Sequence, residues 1–402
     1  MLLFCQVALS QGFNSLVDNG RSLRVDLLLS GDATNMTMKV REIRAYNHGG
    51  TGLFGGLNSG QGEYRFTLVA KTNHRLVYQD GFSSLFDEWA SSDFPGKTPV
   101  EFQQVLVMPM PLEDVELIVD KRSKKGYYYP ILKQDIKVGL VPGFKPPFMA
   151  EVNQLAGSNL PYQAVDVLLV AEGYTESEKN KFKADAARFV DYFLSSVPFA
   201  GYTNAINIHS VFYSSQQSGC IQPNQGKNPE TVLGASFNTF GSERYLQTLN
   251  IFTLADYAAA APHDLIVVLV NTNEYGGGGV FNSFAIGSVD HPLSMAVLMH
   301  EIGHAFAGLG DEYYDSEVPY SDFYSADVEP WEPNITTLVD FDSKWKADMA
   351  NGSVGLVEGA GYSAKGIYRA QEHCLMKALN APFCQVCQKA VAARIRLVVR
   401  EQ

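Results

Sequence analysis

The 402-residue sequence contains no apolar run of 18 residues or more, so no segment reads as a transmembrane helix. Positive charge is in deficit. Lys and Arg number 31 against 43 Asp and Glu, a net charge of −12, which argues against nucleic acid or an anionic membrane surface as the main partner. Internal repeats and low-complexity tracts are missing. The first residues, MLLFCQVALSQG, lack a basic n-region. They are apolar, however, and reach a small-x-small pattern at Ala8-Leu9-Ser10. Residues 1–10 are therefore expected to be the remnant of a signal peptide, the alternative being a first β-strand, and the protein is expected to be secreted, periplasmic or at the cell surface.

Cysteine is sparse too. Cys5 would leave with a signal peptide, and Cys220, Cys374, Cys384 and Cys387 remain. Four thiols fit either two disulfides in an exported protein or a structural zinc site. Cys384-Gln-Val-Cys387 has no second CxxC to complete a knuckle, so disulfides bracing the C-terminal region are the expectation.

What is present falls into two textures. Residues 11–145 hold short runs with period-two alternation, among them RSLRVDLLLSGD, MTMKVREIRAYN, YRFTLVAKT, RLVYQDGFSSLF, PVEFQQVLVMPMP and VELIVDKRS, separated by Gly, Asn, Asp and Pro. This predicts an all-β sandwich. The glycine-rich loop from His48 to Gly62 joins no strand to a helix, so it reads as a rim loop, not a phosphate cradle. The Pro- and Gly-rich stretch from Val141 to Pro161 marks a boundary, with a linker at 146–161. Beyond it, 162–402 alternates strand and helix as an α/β domain does. Val165 to Ala171 is a doubly covered strand. Thr175 and Glu178 form a capping box ahead of a helix bearing Phe182, Ala186, Phe189, Val190 and Phe193. Two further strands, INIHSVFYSS and LIVVLVN, follow.

One segment carries chemistry: HEIGHAFAGLGDEYYD, from His300 to Asp315. On a helix over Met295–Ala307, capped by Ser294, His300 and His304 sit one turn apart on one face and can share an ion. Glu301 is beside them, placed to hold a water and take its proton. The flanking Val297, Leu298, Met299, Ile302, Ala305 and Phe306 make the helix a buried one, where unpaired histidines would be costly. The bland alternative is a core histidine pair. A catalytic Zn2+ wants a third protein ligand and an open position. Gly308 and Gly310 can turn the chain back, which brings in Asp311 first, then Glu312, with a distant downstream glutamate as the remaining choice.

The HExxH sequence, glycine turn and nearby acid resemble the metzincin clan, with the glycine and acid one residue later, as HExxHxxxGxxD. VDVLLVAEGYTESEKNKF, PFAGYTNAINIHSVFYSSQQSGC, FNTFGSERYL, VLVNTNEYGGGGVFN, HEIGHAFAGLGDEY and HCLMKALNAPFCQVC together resemble the immunoglobulin-A-peptidase-like zinc metallopeptidases, across roughly residues 155–395. The resemblance implies a β-sandwich followed by a metzincin-like α/β catalytic domain. It implies His300, His304 and Asp311 as zinc ligands, Glu301 as general base, and Met376 in a methionine turn beneath the metal. It also implies a cleft rim at Glu274–Gly279, where a peptide substrate could pair with a free strand edge. Glu172-Gly-Tyr174 and Arg244 match family positions without an evident catalytic role, and Tyr313, Tyr314 and Tyr368 are candidate oxyanion donors. The expected activity is zinc-dependent hydrolysis of peptide bonds in extracellular proteins, by a chain expected to be a monomer. The competing readings are a cell-surface binding module with a structural or vestigial zinc, and an amidase acting on cell-wall peptides.

Overall fold

The computed structural model describes residues 16–49, 61–92, 100–146, 150–315 and 323–399. The N-terminal half forms two antiparallel sheets. One has the order β2-β1-β5, with β1 at Val17–Gly31, β2 at Met36–Tyr46 and β5 at Val100–Pro111. The other has the order β4-β3-β6-β7, with β3 at Tyr64–Ala70, β4 at Leu76–Phe82, β6 at Val115–Arg122 and β7 at Tyr128–Ile136. Alternation along the strands explains the core. Leu23, Val25, Leu27 and Leu29 of β1 share one buried cluster with Tyr64, Phe66 and Leu68 of β3 and Leu117 and Val119 of β6.

The second half is built on a six-stranded mixed sheet, β12-β13-β11-β9-β10-β8. Its central strands β9 (Val165–Glu172), β10 (Ile206–Phe212), β11 (Leu265–Val270) and β13 (Phe284–Ser288) run parallel. The antiparallel edges are β8 (Glu151–Ala156) and β12 (Gly277–Val280). Every residue of β9 is buried. Val165, Val167, Leu169 and Ala171 enter the core shared with helices Lys179–Ser195, Ser294–Ala307 and Gln385–Val398. Leu168 and Val170 face the other way, into the cluster that holds the sandwich core and helix Ile251–Ala258. A small sheet, β14-β16-β15, covers the C-terminal part, with β14 at Ile335–Thr336, β15 at Val357–Ala360 and β16 at Ser363–Arg369.

The two halves meet through buried charge as well as apolar surface. Arg24, on the face of β1 opposite the sandwich core, binds Asp26 and reaches Asp256 of helix Ile251–Ala258 at 2.6 Å. Arg394, on the C-terminal helix, grips Asp80 of β4 through its two terminal guanidinium nitrogens, Nη1 and Nη2, at 3.1 and 2.8 Å.

Several expectations need correction. The run RLVYQDGFSSLF is not all strand: after Phe82 it becomes the short helix Leu85–Ser91, capped by Ser84, whose side chain accepts from Asp87 N–H. Strand β7, YYPILKQDI, adds to the expected set; its apolar residues are interrupted by Pro130, and only Ile136 is fully buried. Within the span read as a linker, Glu151–Ala156 pairs with β10 and belongs to the sheet. The signal-peptide reading of residues 1–10, and residues 50–60 of the glycine-rich loop, lie outside the described residues.

Candidate metal centre and its cleft

The helix Ser294–Ala307 runs under β12 and β13. Ser294 is its first residue, not its cap; Leu293 holds the cap position without a side-chain bond. The approach to β12 is close because β12 opens on three glycines. A Cβ on Gly277 would lie 2.7 Å from Val297 Cγ1 and 2.9 Å from Glu301 Cγ, and one on Gly279 would lie 2.3 Å from the Glu301 carbonyl oxygen. Helical spacing then puts His300 and His304 on one face. Gly308 ends the helix in the left-handed region at φ 61°, its N–H donating to the His304 carbonyl. Asn334 pins the returning chain by accepting from Gly310 N–H and donating to the Gly310 carbonyl.

The turn delivers Asp311 to the histidines. Asp311 Oδ1 lies 3.1 Å from His300 Nε2 and 3.3 Å from His304 Nε2, and the two Nε2 atoms are 3.1 Å apart. Both imidazoles are oriented from behind: His300 Nδ1–H donates to the Leu375 carbonyl at 3.0 Å and His304 Nδ1–H to the Leu309 carbonyl at 2.6 Å. With Nδ1 engaged in this way, the Nε2 atoms are the ones that face Asp311. Tyr362 Oη donates to the other oxygen, Asp311 Oδ2, at 2.6 Å. Oδ1 is buried and has no hydrogen-bond donor.

These three atoms suit a metal. A tetrahedron with bonds of about 2.0–2.1 Å to nitrogen and oxygen has edges of roughly 3.3–3.4 Å, close to the separations seen. The electrostatics agree. Burial by itself would lower the His304 pKa, yet the Asp311 carboxylate reverses this and raises it to about 9. Against its own burial, Asp311 is held well below the usual carboxylate range by the two imidazoles. The cluster calls for positive charge at its centre.

Glu312, the alternative third ligand, turns the other way. Its Oε1 lies 3.3 Å from Cys387 Sγ and 3.9 Å from Cys384 Sγ. Met376 is fully buried, with Sδ 2.8 Å from where a Cβ on Gly303 would be, so it lies against the helix between the two histidines in sequence. The expected disulfides are not found: Cys220, Cys374, Cys384 and Cys387 are all unpaired, and Cys220 stands apart beside Gln222 and Thr272.

The centre opens into a cleft. Glu301 lines it, with its pKa raised by burial against the pull of the imidazoles. So do Gly277 and Gly279, Arg244, and Tyr313, whose ring stacks toward His300 with the Arg244 guanidinium 5.5 Å from its centre. Of the three tyrosines singled out as oxyanion donors, only Tyr313 lines the cleft. Tyr314 packs against Gly359 beneath Arg369 and Lys377, and Tyr368 pairs within the small sheet. The edge of β12 is partly taken, because Leu246 N–H donates to the Gly277 carbonyl. Glu172 is structural: its carboxylate accepts from Thr231 Oγ1 and from the N–H groups of Leu233 and Ala235.

The far wall of the cleft carries no signal in the sequence. Glu63, Ser83 and Glu88 come from the sandwich half, and Tyr324, Trp331 and Glu332 from the segment before β14. Trp331 Nε1–H donates to Glu63, and Tyr324 Oη to Glu332. Burial, with the neighbouring Glu332, raises the Glu63 pKa to about 8, and burial raises Glu88 to about 7. Nothing local in the sequence marks these residues, since folding alone brings them to the histidines.

Three convergent ligand atoms with a carboxylate one residue along, at the wall of a cleft, are the kind of centre metallohydrolases use. A family profile described as IgA Peptidase M64 matches residues 154–353 and 345–395, and one described as Peptidase M64 N-terminus matches residues 12–132. The first covers more than half of the chain, which belongs to the M64 peptidase family, a family of metallopeptidases. Comparison with curated proteins brought no match.

Proposed function

We propose that the chain is a zinc-dependent, metzincin-like endopeptidase, exported and acting on extracellular proteins. One observation carries the reading: Nε2 of His300, Nε2 of His304 and Oδ1 of Asp311 converge within 3.3 Å of one another, with Glu301 on the same helical turn. His300, His304 and Asp311 would hold the zinc, which would supply Lewis acidity to polarise a scissile carbonyl and make a nearby water a better nucleophile. Glu301 accepts the proton of the attacking water and passes it to the leaving amine. Tyr313 donates to the oxyanion as it forms; burial and the Asp311 charge keep its hydroxyl protonated. With Gly277 engaged by Leu246, the period of two turns the polar groups of Gly279 outward next, and these take the substrate backbone.

The test is hydrolysis of casein by the full chain before and after chelation, with zinc then restored. Loss on chelation and recovery with zinc support the reading. Undiminished cleavage by protein shown to be metal-free would sink it. A muropeptide panel run alongside separates an endopeptidase from a cell-wall amidase.

A further inference from the structure

Glu312 and three cysteines form a second cluster that the hydrolytic centre does not use. Their four ligand atoms lie within 4.8 Å of one another. Cys374 Sγ is 3.6 Å from Cys387 Sγ, and Glu312 Oε1 is 3.3 Å from Cys387 Sγ and 3.9 Å from Cys384 Sγ. A tetrahedral zinc with sulfur bonds near 2.3 Å sets sulfurs about 3.8 Å apart and a sulfur and a carboxylate oxygen about 3.6 Å apart. All four residues are at most 4% exposed, and Glu312 Oε2 is a buried acceptor with no donor. Cys384 and Cys387 come from the start of the C-terminal helix, Cys384 at its cap position.

We propose that Glu312, Cys374, Cys384 and Cys387 bind a structural zinc ion. Disulfide chemistry accounts for the cluster less well. Three thiols leave one over after pairing, and a disulfide leaves the buried Glu312 carboxylate with Asn334 Nδ2 at 3.0 Å as a neutral donor and no counter-charge. A divalent cation accounts for all four groups, thiolate donors favour zinc over harder ions, and four protein ligands leave no open position for catalysis.

The location gives this ion a task. Glu312 follows Asp311 in the chain and donates its N–H to the Met376 carbonyl. Cys374 precedes Leu375, whose carbonyl orients His300. One ion therefore clamps together the two segments that position His300 and Asp311.

The test is zinc content of the full chain, purified under reducing conditions, as wild type and as His300→Ala/His304→Ala. Two equivalents are expected in the first and one in the second. A thiol-binding mercurial should displace the one that the histidine variant retains. In Cys384→Ser/Cys387→Ser that equivalent should be missing; if this variant does not fold, the mercurial displacement decides. One equivalent in the wild type, kept in the histidine variant and released by the mercurial, would uphold this site and sink the catalytic reading. A histidine variant without zinc, or a covalent Cys374–Cys387 link found by mass spectrometry of the unreduced protein, would overturn the proposal.

Discussion

Asp311 and Glu312 are consecutive, yet their carboxylates end in different clusters: Asp311 Oδ1 faces two imidazole nitrogens at 3.1 and 3.3 Å, while Glu312 Oε1 faces Cys387 Sγ at 3.3 Å. A single turn of chain, closed by Gly308 and pinned by Asn334, thus serves both.

Tyr362 is the residue that fixes Asp311 from outside. Its hydroxyl donates at 2.6 Å, from a backbone held in the left-handed region at φ 64°. Strain of this kind persists where the surroundings hold it. Tyr362→Phe should weaken zinc affinity at the histidine centre by about 10–100-fold, read by competition with a zinc chelator. Unchanged affinity would show that Asp311 needs no such support.

The seat of Glu301 depends on the glycines of β12. Adding a methyl group in Gly279→Ala places a carbon against the Glu301 carbonyl, at 2.3 Å before relaxation, and 3.0 Å from His304 Cβ. The substitution should cost about 1–3 kcal/mol of stability and depress casein hydrolysis. Unfolding and activity assays check both, and a variant equal to wild type in each would show that the strand and helix can separate at no cost.

Arg394 ties the C-terminal helix to the sandwich through an Asp80 that is 2% exposed. Arg394→Ala should destabilise the chain by about 3 kcal/mol, the lower end for breaking a buried pair, since Gly81 N–H and Asn282 still reach Asp80. Equilibrium unfolding in urea measures it. A loss below about 1 kcal/mol, the scale of a surface pair, would mean that this contact does not join the halves.

Glu63 predicts a pH dependence. Burial and Glu332 raise its folded pKa from 4.5 to about 8. Between those values the folded chain keeps a proton that the unfolded chain releases, so stability falls as pH rises through that window and levels off above it. In Glu63→Gln the melting temperature should fall less steeply between pH 5 and 8, whereas a slope equal to wild type would place the titration elsewhere.

The histidine centre was largely legible in the sequence because its logic is local. His300, Glu301 and His304 are set by helical spacing, and Gly308 announces the end of the helix. Choosing Asp311 over Glu312 was not fully legible, because the choice rests on Asn334 and on what each carboxylate meets after the turn. The cysteine spacing suggests pairs for a related reason. Their fourth companion is a glutamate, and no CxxC spacing points to it. Strand β8 hid in a polar, half-exposed stretch that joins the sheet only at its edge. Glu63 and Glu88 lie in the β half, and only tertiary packing carries them to the cleft.

The most direct measurement compares wild type with Glu301→Gln for casein hydrolysis, with zinc content measured in parallel. With Glu301 in the proposed role of general base and outside the ligand set, the variant should retain zinc at the wild-type level while its hydrolysis drops by about 10²–10⁴-fold, the range for loss of a general base. A Glu301→Gln chain that cleaves casein as fast as wild type would contradict the account at its centre.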